Sequence, residues 1–171
     1  MRTILAVVPS LVLSVAGSAT IAAAEPVAAA PIAQPYALIT LTTIPSGWET
    51  RTDLRPVLEI YSDGHAIEMP DAASADRRPE TPPRQLDGTI GPEALQAALT
   101  EIRALAGADF GTPPANGGVR IIDLMPQAPD QDVHLIVYSP DVIDGFGNDQ
   151  RSARQRFADL YRRLLDAFVK S

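Results

Sequence analysis

The chain has 171 residues, no cysteine and a formal net charge of −7. Without cysteine there is no disulfide framework and no bacterial lipidation, which needs a cysteine at the cleavage site. The acidic balance repels phosphate backbones and argues against nucleic-acid binding, while the length suits one ordinary domain with its own core.

Residues 1–24 read as a cleavable signal peptide. Arg2 supplies a positive charge, Ile4 to Gly17 is an apolar run, and Ala22 and Ala24 fit the small-residue cleavage pattern. The expected mature protein is secreted or held in the cell envelope, with no integral membrane segment after cleavage. Residues 25–35 are Ala/Pro-rich without periodicity and predict an extended leader. Residues 36–171 then form the domain.

Tyr36 to Ile44 is rich in β-branched residues between prolines and predicts a strand. Val57 to Met69 predicts a hairpin, because Asp63-Gly64 separates two short strand-like runs and accommodates the backbone of a turn. Residues 70–84 hold four prolines and almost no large apolar side chain. They predict a long exposed loop, dispensable for folding. Leu86 to Ile90 is either a short strand or a lead into the next helix.

Pro92 to Ala106 predicts a helix: proline suits the first helical position, and Leu95, Ala98, Leu99, Ile102 and Leu105 line one face. Val119 to Met125 and Val133 to Tyr138 predict a second hairpin. A last helix is expected from about Gln150 to Val169, capped by Asp149, with Ala153, Phe157, Leu160, Tyr161, Leu164, Leu165 and Phe168 as its apolar stripe. The order predicts an α+β fold: an antiparallel sheet of about five strands with two amphipathic helices packed on one face.

The segments YSDGHAI, GPEALQAALTEIRALAGADFG and RSARQRFADLYRRLLDAF, with the second hairpin between the last two, are similar to a group of small uncharacterised exported proteins of high-GC, actinobacterial-type bacteria. The likeness covers roughly Arg55 to Val169. It implies export and this fold, and assigns no functional residue.

Candidate chemistry is sparse. Each of the two histidines follows an aspartate by two, as Asp63/His65 and Asp132/His134. On a strand such residues share a face, and two adjacent pairs would make a plausible metal set. The ordinary alternative places both aspartates in turns. Asp141, Asp144, Asn148 and Asp149 offer oxygen ligands of the type calcium takes, although their spacing is not that of an EF-hand. Arg151, Arg154, Arg156, Arg162 and Arg163 predict a mostly solvated face on the last helix, or a patch for anionic polymers. No nucleophile motif, phosphate-cradling glycine loop or cofactor signature is present.

The expected function is therefore a non-catalytic exported module that binds another protein or a cell-envelope component. The alternative is a metal-dependent hydrolase built on His65, His134 and nearby aspartates. Oligomeric state is left open.

Overall fold

The computed structural model describes residues 34–112 and 117–171. The signal peptide and all but the last two residues of the leader lie outside the described residues.

The first strand, β1 (Ala37–Ile44), is followed by β2 (Leu58–Tyr61), β3 (His65–Glu68) and β4 (Leu86–Ile90). Helix α1 (Pro92–Leu105) leads to β5 (Val119–Leu124) and β6 (Val133–Tyr138), with a single 3-10 turn, Pro129–Gln131, between those strands. Helix α2 (Asn148–Asp166) and a short β7 (Phe168–Lys170) complete the fold. It is α+β, with one sheet in the order β6-β5-β1-β2-β3-β4-β7 and every neighbouring pair antiparallel. Among the described residues the strands number seven rather than about five. Leu86 to Ile90 does pair, and β7 forms from residues that the apolar spacing assigned to the last helix.

The hairpin between β2 and β3 turns through residues 62–64. The Gly64 N–H donates to the Tyr61 carbonyl at 3.0 Å, and Gly64 takes φ +87°. A side chain resists that conformation, so glycine is needed there. The Asp63 carboxylate accepts from the His65 main-chain N–H at 3.0 Å, which closes the turn from its other side.

Alternation sorts the sheet into two faces. Ile39, Leu41, Leu58, Ile60, Ala66, Ile122, Leu124, Leu135 and Val137 are buried together with the apolar stripes of α1 and α2. Both helices therefore cover one face and leave the other without a helix. Helix α2 must carry the chain from β6, at one edge, to β7, at the other. Its 19 residues give about 28 Å of helix, against about 29 Å for six interstrand spacings. Its length matches the width of the sheet.

The ends of α2 differ from the sequence expectation. The cap is Gly147, whose N–H donates to the Gln150 side chain at 3.2 Å, and Asp149 lies inside the first turn. At the other end Ala167 stops the helix, and Phe168 pairs with Ile90 as β7. A Cβ on Gly88 would lie 2.5 Å from the Phe168 ring. The missing side chain is what lets β7 sit down on β4.

Residues 70–84 have no helix or strand, yet they are not loose. Ala72, Arg77 and Pro83 are buried. The Arg77 guanidinium donates to the carbonyls of Ala72 (2.9 Å) and Asp53 (3.1 Å) and pairs with the Asp53 carboxylate at 2.8 Å. Arg51 also binds Asp53, donates to the Arg77 carbonyl, and stacks 3.7 Å from the centre of the Trp48 ring. The segment is a strap fastened by charge and an aromatic face, without an apolar plug.

Candidate functional site

The two Asp-x-His pairs are far apart. His65 is on β3 and His134 on β6, with β2, β1 and β5 between them. Four interstrand spacings separate their strands by about 19 Å. Nor does either histidine ring pair with the aspartate two residues before it. His134 Nδ1 lies 2.7 Å from the Asp123 carboxylate on the adjacent strand, and Asp132 ends the 3-10 turn. His65 Nε2 faces Asp87 at 3.6 Å, while Asp63 serves the turn. Cross-strand neighbours, which no local spacing reveals, set both histidine environments.

The oxygen-bearing loop is equally dispersed. Asp141 pairs with Arg120 at 3.3 Å, and the Asn148 side chain accepts from Arg151. Asp144 and Asp149 do not join them, and no group of three or more His, Asp or Glu poised to hold a metal ion occurs among the described residues. The arginines of α2 do not form one patch. Arg156 pairs with Glu101 and Arg162 with Asp159.

Arg154 departs most from expectation, being 1% exposed. It donates to the carbonyls of Val142 (3.0 Å), Phe110 (2.9 Å), Tyr138 (2.8 Å) and Ser139 (2.5 Å), and its guanidinium lies 4.3 Å from the centre of the Phe146 ring. Loss of solvent pulls its pKa below the ordinary arginine value, yet a guanidinium remains charged near neutrality. It locks the end of β6 to the loops on both sides. Ser139, buried beside it at φ 45°, accepts from the Gly117 N–H at 2.7 Å. It lies five residues along the chain from His134, about 16 Å on extended backbone, so the two do not form a nucleophile–base pair.

Among the described residues two surfaces stand out as candidates for binding. One is a cleft of about 550 Å³ between α2 and the sheet, lined among others by Arg120, Arg162, Glu68, Asp166 and Tyr161. Tyr161 hydrogen-bonds Thr43 at 2.8 Å, and burial pushes its pKa up to about 12. Charges of both signs line this cleft, so it selects no single ionic class.

The other is the helix-free face. Register places His134, Asp123, Thr40, Glu59, Ile67 and Asp87 in one row across six strands. Beside that row, at the β6 end, lie Ile136 with Ile121 and Tyr138 with Val119. Ile136 is 42% and Tyr138 54% exposed. Sequence reasoning passed over both, although VHLIVY carried a signal. Its second half is apolar at successive positions, so one apolar set had to face away from the core.

No helix among the described residues is long and apolar enough to cross a membrane. Comparisons with protein-family models, with curated proteins and with solved structures find no match to this chain.

Proposed function

We propose that this chain is a non-catalytic binding module, exported to the cell envelope or medium, which recognises a protein partner through the apolar corner of its helix-free sheet face. The supporting observation is Ile136 and Tyr138 side by side on an edge strand, backed by Ile121 and Val119 and left uncovered by either helix. Contiguous apolar surface of this kind costs solubility and characteristically marks an interaction site. A cationic face would favour an anionic envelope polymer, but on α2 Arg154, Arg156 and Arg162 are tied to local partners. Export rests on the N-terminal charge, apolar run and small-residue pattern, and on the likeness to small exported proteins of high-GC bacteria.

The test is capture of proteins from culture medium on the immobilised chain, in parallel with a variant carrying Ile136→Lys and Tyr138→Lys. A partner held by the first and lost by the second is the expected result. Equal capture by both would move the site elsewhere, and stoichiometric zinc in the purified protein would overturn the non-catalytic assignment.

A further inference from the structure

We infer that the open edge of β6 takes an extended polypeptide segment as an eighth strand, one with apolar residues in alternation and basic residues at its ends. This rests on the binding-module reading above and names its mode and partner chemistry.

The argument begins with hydrogen bonds. The Ser139 N–H donates to the Gly118 carbonyl at 2.8 Å, which fixes the phase of the ladder between β5 and β6. By alternation Val133, Leu135 and Val137 turn their main-chain groups toward β5, and His134, Ile136 and Tyr138 turn theirs outward. Of those outward groups, the Tyr138 carbonyl is taken by Arg154. The N–H groups of all three residues, and the carbonyls of His134 and Ile136, point away from the sheet.

Natural sheets protect such rows with short strands, prolines, lysines or bulges. The opposite edge follows that rule: β7 is three residues long and contains Lys170. By contrast, β6 has six residues, VHLIVY, without proline, lysine or acid, and pairs with β5 in unbroken register. Arg154 fixes its C-terminal end, so the edge is held ready before a partner arrives. An incoming strand would continue the ladder and lay alternate side chains beside Ile136 and Tyr138.

Charge selects the partner. Asp130 and Asp132 precede β6, Asp144 follows it (Asp141 is already paired with Arg120), and the whole chain carries −7. Lys170, the sole lysine, lies on the opposite edge strand. Basic residues at the ends of the incoming segment therefore meet carboxylates. A second copy of this chain would bring more acid to the same place, so we assign the edge to a foreign segment.

The probe is a synthetic peptide in which valine alternates with threonine between paired terminal lysines; the control has glutamates for the lysines. Amide hydrogen exchange of the purified protein should slow about tenfold or more at His134 and Ile136 with the basic peptide only. The effect should weaken with added salt and vanish in Ile136→Pro, which removes one donor. Tyr138→Lys, which leaves the backbone intact, should also abolish it. Equal protection by the acidic peptide, or protection confined to the cleft beside α2, would overturn the inference. So would β6 amides already protected in a protein that sediments as a dimer, because a second copy would then hold the edge. No protection by either peptide would overturn this mode and chemistry too, while capture by Ile136 and Tyr138 decides the binding-module reading separately.

Discussion

Among the described residues two arginines are buried, and they are accommodated in opposite ways. Arg77 meets a carboxylate, that of Asp53, shared with Arg51 and stacked near Trp48. Arg154 meets none and is held by four main-chain carbonyls and an aromatic face. Charge pairing lets the first cluster fasten a polar strap to the segment between β1 and β2. The second cluster instead supplies donors to irregular backbone at the end of β6, where of its four acceptors the Ser139 carbonyl also accepts from the Val142 N–H at 3.0 Å. The same side chain acts as a clasp in one place and as a substitute for secondary structure in the other.

The largest expected effect comes from Arg154→Met, which keeps most of the volume, removes the arginine donor from the Val142, Phe110 and Tyr138 carbonyls and leaves Ser139 with the Val142 N–H alone. Urea unfolding should show a loss of about 3–4 kcal/mol, since each orphaned buried group costs about 1–3 kcal/mol and partial hydration recovers some of it. Arg154→Lys should fall between wild type and methionine, because an ammonium cannot span the planar fan of acceptors. A loss no greater than that of Arg77→Met would erase the proposed difference between the two sites.

Arg77→Met should cost about 1–3 kcal/mol and admit limited proteolysis within residues 70–84, where Arg154→Met should not do so selectively. The sequence predicts that removing residues 72–81 is harmless. With Ala72 and Arg77 buried, that deletion should cost at least as much as the point change. An unchanged melting temperature after deletion would show that the clasp contributes nothing.

Trp48→Ala should cost about 0.5–1 kcal/mol, the range of a partly exposed cation–π contact. Trp48 is the only tryptophan, so its fluorescence in the wild type reports release of the strap directly.

Acid should separate the sites at the smallest scale. The Arg51 hydrogen bond, with help from Arg77, holds the Asp53 carboxyl well below the usual carboxylate range. A group depressed in the folded state stabilises it above the unfolded value, about 3.9, and that contribution is lost as pH falls through the lower folded value. Trp48 fluorescence should therefore shift below about pH 4, and Asp53→Asn should flatten that response. The Arg154 cage contains no carboxylate and should show no matching acid transition. An identical acid response in Asp53→Asn would remove the clasp from the explanation.

Much of the fold was legible because local rules and tertiary demands agree. Pro92 and the stripe from Leu95 to Leu105 mark α1 almost to the residue. Asp63-Gly64 marks the first hairpin, and the β-branched runs mark β1, β5 and β6. Phe168 misled because its spacing continues the α2 stripe. A helix can end at Ala167 only because Gly88 leaves room for the ring on β4, and no window of local sequence includes both residues. Arg154 was legible in principle, three residues before Phe157 and seven before Tyr161 on the buried face, but a charge at a core position counts as surface until its acceptors are known.

By itself the sequence determined the fold class, both helices and the main strands, since periodicity and turn chemistry act over a few residues. It also determined the acidic, cysteine-free character of the chain. Only the tertiary structure decided which carboxylate each histidine meets, which arginines are buried, that residues 70–84 are strapped down, and that Ile136 and Tyr138 stand on an open edge. Those are relations between segments 11 to 44 residues apart in the chain. Register, burial and hydrogen-bond completion exist only once the segments meet.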